Sequence, residues 1–327
     1  MMTQLQRFFA RISCACTRTP AILALMLAVA LAACVQPAPE LASASLRTAE
    51  LERRLAGPDG SVMVVAHRGC WRETSENSLD AIEACIAAGV DMVELDVRAT
   101  RDGQLVLLHD ATLDRTTDGS GPLDQMDWAE VSKLHLREGQ GRGAPLTDRR
   151  VPTLEQTLAT AKGRILINLD AKVDLTDQVL ALIAEHGDMD QILFKAEAPL
   201  GEVLQYAPWV GEVNFQPILR EPYLASDPQG YIASYDPIRP VSYEIDVKTR
   251  AFTPVVAPLI RERCARFWVN SLSGRIYDDE EALTDPGHVW GALVEQGVDA
   301  IQTDYPLLLR AYLDKVQPTT LRCPPGR

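Results

Sequence analysis

Positive charge is scarce in this chain. It has 32 Lys and Arg against 45 Asp and Glu, a formal net charge of −13. Nucleic acid is therefore not expected as a partner, because phosphate-backbone binding favours a basic surface. Tight docking on anionic lipid through the folded surface is not expected either. A membrane-spanning helix needs ~20 apolar residues, and the apolar run AILALMLAVALAA at 21–33 is too short. The seven cysteines include no C-x-x-C, which argues against zinc ribbons and thioredoxin-like chemistry. No internal repeat is visible. No strand is expected to lead into the glycine-rich run from Gly139 to Gly143 and no helix clearly follows it, so it is not read as a dinucleotide fingerprint.

Residues 1–34 read as an export signal rather than as part of a fold. Arg7, Arg11 and Arg18 come first, without an acidic residue, and the apolar run and Leu31-Ala32-Ala33-Cys34 follow. These are the three parts of a secretory signal. The L-A-A-C ending resembles a bacterial lipoprotein signal, which would make Cys34 the lipidated first residue of a membrane-anchored envelope protein. The alternatives are an ordinary cleaved signal or an uncleaved anchor. Loss of this segment takes the net charge to −16, since it carries three arginines and no acid. Cys70, Cys85, Cys264 and Cys323 remain. In an exported protein they can oxidise. Cys70 follows a strand and Cys85 falls inside a helix, far apart if that helix runs straight away, so this pair is not expected. Cys264 with Cys323 is an open possibility beside free buried thiols.

A tether covers 35–56, with a linker rich in Ala, Pro and Ser over 35–46 and a short helix near 47–56. Apolar, β-branched runs then recur at 62–66, 91–97, 104–108, 164–169, 191–195, 211–218, 241–247, 266–270 and 299–303. Helical patterns lie between most of them, at 78–88, 153–161, 176–186, 199–207, 254–264, 287–296 and 306–315. Alternation of strand and helix predicts a parallel sheet with helical crossovers. We therefore expect an α/β fold, a TIM (β/α)8 barrel over 57–316, with a tail at 317–327. Nine runs compete for eight barrel places, and 211–218 and 241–247 are the doubtful ones. Residues 112–150 interrupt the alternation after the third strand. They are too long for a βα loop of ~2–6 residues and read as an inserted, flexible surface loop.

Several apolar runs end in charged residues: His67 and Arg68, then Glu94 and Asp96, then His109 and Asp110. Parallel α/β folds build their sites from such strand ends. Two histidines can divide general acid and general base duties near neutral pH. In E-x-D the two carboxylates share one side of a strand, and hard cations such as Mg²⁺ and Ca²⁺ favour oxygen ligands.

The order of motifs resembles the glycerophosphodiester phosphodiesterase family. The matching pieces are HRG (67–69), E-N-S (76–78), GVDMVELDV (89–97), T-R-D-G (100–103), HD (109–110), LDRTT (113–117) and GVDAIQTDYP (297–306). The resemblance implies a TIM barrel and divalent-metal-dependent hydrolysis of phosphodiesters. It implies metal ligands Glu94, Asp96 and Asp170, the last standing where the family usually has Glu. It also implies catalytic His67 and His109, with the neighbouring glycerol hydroxyl attacking phosphorus and water opening the resulting cyclic phosphate. His67 is our choice for the first base and His109 for the first acid.

Arg68 and Lys172 are the candidate phosphate clamps, against simple ion pairs with Asp96 and Asp170. Glu76 would orient Arg68 or support the metal shell, Asp110 would orient His109 or backbone, and Asn77 or Ser75 would cap the first helix. Trp268 would line the substrate pocket, with barrel packing as its alternative. Lys195 departs from the Ser-Phe common in the family. Glu244 and Asp246 repeat E-x-D, for which strand-end salt bridges are the expected role.

The leading function is hydrolysis of soluble glycerophosphodiesters to glycerol 3-phosphate and an alcohol. The alternatives are a phospholipase D-like or lysophospholipase D-like enzyme on lipid phosphodiesters, and a surface lipoprotein using the barrel for binding or adhesion. The expected partners are the small phosphodiester and, through an acyl anchor, a lipid bilayer.

Overall fold

A computed structural model of the protein describes residues 39–174, 177–320 and 322–323. The export signal and Cys34 lie outside the described residues. In chain order the strands are β1 (Met63–His67), β2 (Met92–Ala99), β3 (Leu105–Leu107), β4 (His135–Arg137), β5 (Leu146–Arg150), β6 (Leu166–Ala171), β7 (Ile192–Ala196), β8 (Asn214–Arg220), β9 (Ser242–Asp246), β10 (Arg266–Ser271) and β11 (Ala300–Thr303). β1 pairs in parallel with both β2 and β11. The sheet therefore closes into an eight-stranded parallel barrel that omits β3 to β5. The longer helices are α1 (Pro39–Leu55), α2 (Leu79–Ala87), α3 (Leu154–Ala161), α4 (Asp177–His186), α5 (Leu200–Tyr206), α6 (Thr253–Arg261) and α7 (Pro306–Val316). No helix among the described residues is long and apolar enough to cross a membrane.

The barrel strands are buried on both faces because both are covered. One side chain set packs under the helices, with Val64, Val93, Ile167 and Phe194 in the main cluster. The other fills the barrel, where Met63, Val65, Met92, Leu166, Leu193, Trp268 and Ala300 meet. Leu51 and Leu55 join that second cluster. They lie four residues apart, hence on one face of α1, and they plug the N-terminal end of the barrel. The segment read as a tether thus contributes core.

The spare strand is not one of the two doubted. β8 and β9 are barrel staves, whereas β3 runs antiparallel to the end of β2. Hydrophobicity marks a buried strand but not its direction, so the sequence could not separate them. The insertion after β3 is more than a flexible loop. Val106, Leu108, Leu113, Leu123, Val131, Leu136 and Val151 form a small core of its own, under the antiparallel pair β4–β5.

The four cysteines among the described residues are all paired. Cys70–Cys85 spans 5.3 Å between Cα atoms and Cys264–Cys323 spans 5.8 Å. The first contradicts expectation because the chain folds straight back after β1. The Cys70 N–H donates to Ala81 O at 3.2 Å, and Cys85 lies one helical turn beyond Ala81. The fold-back needs Gly69, whose φ is +79° and whose Cβ, if present, would meet the Ala81 Cβ at 2.9 Å. The second disulfide ties down the tail, where the Cys323 N–H also donates to Pro58 O at 2.9 Å.

Candidate active site

His67 ends β1, and Glu94 and Asp96 lie on β2. Paired register sets His67 beside Glu94, and Asp96 beside Asp170 on β6. Ligand oxygens of Glu94, Asp96 and Asp170 lie within 4.8 Å of one another, the one such acidic group among the described residues. Three convergent carboxylates suit a hard divalent ion, so the shortened Asp170 still reaches the nest. Two backbone strains fix its edge. Arg68 and Asn77 both have positive φ, 56° and 53°, a cost that non-glycine residues bear chiefly at functional sites. At Arg68 the turn aims the backbone N–H at Glu94 Oε2, 3.2 Å away. At Asn77 it lets the side-chain amide grip Asp96, donating to Oδ2 at 2.9 Å while accepting the Asp96 N–H at 3.0 Å. Asn77 therefore serves Asp96, and Ser78 caps α2, its side chain accepting the Ala81 N–H.

Cations crowd the same nest. Lys172 Nζ stands 2.7 Å from Asp170 and 3.4 Å from Asp96, and Arg68 Nε stands 3.6 Å from Asp96. Lys195 reaches up from β7 to Asp170 at 3.0 Å and Glu94 at 3.2 Å. Burial alone would raise the Asp170 pKa, but the Lys195 and Lys172 ammoniums outweigh it and bring it down to about 2. Burial would likewise lower Lys195, yet Glu94, Glu244 and Asp170 hold it well above the usual lysine range.

Each histidine is oriented by a carboxylate. His67 Nδ1 meets Asp304 Oδ1 at 2.8 Å, and the Trp71 indole N–H donates to the same oxygen at 3.2 Å. Burial pushes the His67 pKa down, but the Asp304 bond and the Glu94 charge overcome this and raise it above its ordinary value. His109 follows β3 and its Nδ1 meets Asp110 Oδ1 at 2.7 Å. Arg115 grips Asp110 and holds it well below the usual carboxylate range, with burial opposing and His109 adding to the effect. The other fork of Arg115 reaches Glu76 at 2.7 Å, and Glu76 also accepts from Arg68 at 3.1 Å. A chain of charges therefore runs from His109 through Asp110, Arg115 and Glu76 to Arg68. The glycine run closes over it: Gly141 has φ +73° and passes so near Arg115 O that a Cβ would lie 2.0 Å away.

Trp268 is not a pocket wall. It is 1% exposed inside the barrel cluster, and its indole N–H donates to Asn270 Oδ1 at 2.7 Å. Asp246 takes strand-end salt bridges from Arg220, Lys248 and Arg275. Glu244 accepts from Gln216 at 2.9 Å and Asn270 at 2.8 Å. Sequence reasoning gave no role to Asp304, Arg115 or Trp71. A strand-end Asp in the closing T-D and an Arg inside LDRTT were the available signals, without a way to know which residues they would touch.

Residues 67–197 match the model described as Glycerophosphoryl diester phosphodiesterase family, and 221–313 match one described only as a domain of unknown function. The mouse protein Glycerophosphodiester phosphodiesterase 1 is 41% identical over 101 residues, 31% of this chain and 30% of that one. The matched stretch thus spans about a third of that curated relative. Among solved structures, a glycerophosphoryl diester phosphodiesterase from Parabacteroides distasonis superposes with TM-score 0.67 at 21% identity, covering 82% of this chain and 92% of its own. An Oleispira antarctica phosphodiesterase, solved with its product sn-glycerol-3-phosphate, superposes with TM-score 0.58 at 21% identity, covering 77% and 96%. The family match begins at His67 and runs past the carboxylate nest to Lys195 and beyond; over these residues the chain is similar to the glycerophosphoryl diester phosphodiesterase family, and its barrel is shared with these structures.

Proposed function

We propose that the protein is a metal-dependent hydrolase that cleaves glycerophosphodiesters to glycerol 3-phosphate and an alcohol. One observation carries this reading: two histidines, each tied through Nδ1 to a carboxylate, leave Nε2 for substrate beside a nest of three carboxylates. His67, with Asp304 behind it, takes the proton of the attacking glycerol hydroxyl. His109, with Asp110 behind it, protonates the departing alcohol. Arg68 and Lys172, held by Glu76 and Asp170, supply positive charge to the phosphoryl oxygens as negative charge grows there. Glu94, Asp96 and Asp170 would hold Mg²⁺ or Ca²⁺, which when bound lowers the pKa of the attacking hydroxyl and neutralises phosphoryl charge. The product held by the Oleispira antarctica relative supports glycerol 3-phosphate as the product side.

The test is release of glycerol 3-phosphate from a panel of glycerophosphodiesters. Chelation should abolish it and added Mg²⁺ or Ca²⁺ should restore it. Asp170→Glu should keep metal binding and Asp170→Ala should not. Activity that survives exhaustive chelation would end the metal assignment.

One feature favours the lysophospholipase D-like alternative. A crevice of about 710 Å³ opens past the end of β8, lined by Ile218, Leu219, Tyr223, Leu224, Tyr231 and Tyr235 among others. An acyl chain would fit such apolar walls. Preference for lysophospholipids over glycerophosphocholine in the same panel would promote that reading. We also propose that Cys34 is lipidated and anchors the exported protein in the cell envelope. The L-A-A-C ending supports this; fatty-acid labelling of the wild type but not of Cys34→Ala is the expected result, and equal labelling would remove it.

A further inference from the structure

With about one residue of stagger per strand, the residues facing into a (β/α)8 barrel fall into layers drawn from alternate strands. The registers put Glu94, Lys195, Glu244 and Gln302 in one such layer. Asn168, Gln216, Val65 and Trp268 form the layer beneath. Lys195 therefore stands between two carboxylates, Glu94 in the nest and Glu244 across from it.

Charge in the nest is already balanced. Three carboxylates, Glu94, Asp96 and Asp170, face three cations, Arg68, Lys172 and Lys195. A divalent ion entering a neutral nest must displace positive charge. Lys172 can turn to water, its side chain being 27% exposed. Lys195 touches two of the three ligands and its side chain is 5% exposed, so it can leave only for another acceptor inside the barrel. Glu244 is such an acceptor. The Oε1 atoms of Gln216, which already holds Glu244, and of Gln302 are buried without a hydrogen-bond partner. Buried amide oxygens without donors are costly, and an ammonium would satisfy them.

We propose that Lys195 is a built-in counter-cation of the carboxylate nest, bridging Glu94 and Asp170 until a divalent ion arrives and then passing to Glu244 with the free oxygens of Gln216 and Gln302. The inference rests on the nest being a metal site. Lys195 is a positioning residue in this scheme: it keeps the empty nest assembled, and it sets how strongly the ion is held.

Calorimetric titration of the mature protein with Ca²⁺ and with Mg²⁺ tests this without reading activity. Removing the competitor in Lys195→Met should tighten binding at least ~tenfold. It should also lower the melting temperature of the metal-free protein, with added ion recovering the loss. Glu244→Gln should act oppositely, weakening the ion several-fold, because Lys195 then has no charged alternative to the nest. Equal or weaker binding in Lys195→Met, or unchanged binding in Glu244→Gln, would overturn the exchange while leaving the metal site standing. If the wild type and Lys195→Met both bind no ion, the metal site itself is wrong and the exchange falls with it. If Lys195→Met does not fold, Glu244→Gln alone decides.

Discussion

At the N-terminal end of the barrel Arg266 has no exposed surface, and every one of its side-chain nitrogens has an acceptor. Nε donates to Arg54 O at 2.8 Å, Nη1 to Ser61 O at 3.0 Å, and Nη2 to Arg54 O at 2.6 Å and to Asp59 Oδ1 at 3.0 Å. Asp299 completes the cluster, and α1 closes it off. At the C-terminal end, cations and carboxylates are packed as densely but share partners, and Arg68 Nε, Asn168, Gln216 Oε1 and Gln302 Oε1 lack hydrogen bonds. The Arg266 cluster is saturated, whereas the carboxylate nest and the layer around it hold capacity in reserve. Buried charge of the first kind fixes a fold, and buried charge of the second kind can be rearranged by a ligand.

The sharpest way to break this comparison is to damage each end and ask what fails. At the upper end, His67→Ala and His109→Ala should each cut turnover by ~10²–10⁴-fold, with the melting temperature nearly unchanged at a pH where His67 is neutral. A variant keeping half its activity would remove that histidine from the reaction. At the lower end the damage should be to stability. Arg266→Met leaves the buried Asp299 without its cation, and breaking a buried pair costs ~3–5 kcal/mol. At ~2–4 °C per kcal/mol for a protein of this size, the melting temperature should fall by ~10 °C. Substrate affinity of the folded fraction should stay the same. A loss of activity without a loss of stability would mean that the two ends are not separable in this way.

The disulfides give a smaller contrast. Cys70–Cys85 closes a loop of 15 residues beside the Arg68–Gly69 turn, and such a loop is worth ~3 kcal/mol in the chain-entropy account. Cys264–Cys323 has a sequence separation of 59 and lies away from the site. Cys70→Ser/Cys85→Ser should lose stability and some activity, because Arg68 and Gly69 sit in the turn it braces. Cys264→Ser/Cys323→Ser should lose stability alone. Thermal melts and kinetics on both pairs check this; equal activity losses would contradict it.

How much of this was legible in the sequence depends on distance along the chain. The upper rim announces itself locally: HRG, E-x-D and HD each end an apolar run, and alternation puts Glu94 and Asp96 on one side. The lower end announces nothing. Arg266 opens β10 with its charge inside the barrel, and Leu51 and Leu55 stand in an Ala- and Ser-rich stretch that resembles a linker. Only docking of α1 explains either. Cys70–Cys85 was misjudged because the fold-back depends on a positive φ at Arg68 and Gly69, which composition does not reveal. Strand direction was also hidden, so β3 passed for a barrel stave. Lys195 stood out as unusual, but its contacts come from three other strands.

The finest contrast lies within the upper end, between the two histidines, and Asp304→Asn probes it. In the wild type the Asp304 carboxylate raises His67, and His67 in turn holds Asp304 below its usual value, both against the effect of burial. The pair therefore contributes stability between the two ordinary pKa values, roughly pH 4 to 6.5. That contribution fades as pH falls through the lowered Asp304 value, and again as pH rises through the raised His67 value. The melting-temperature gap between wild type and Asp304→Asn should be widest inside this window. The kinetic consequence follows from the same shift. A base works only when neutral, so with His67 as base the acid limb of kcat/KM follows its pKa. Asparagine removes the charge that raised it, and the acid limb should move to lower pH by on the order of one unit. The plateau should drop too, since an amide can hold the ring in the other tautomer. If instead the acid limb stays and the alkaline limb moves down, His67 is needed in its protonated form, and the assignments of base and acid to His67 and His109 must be exchanged.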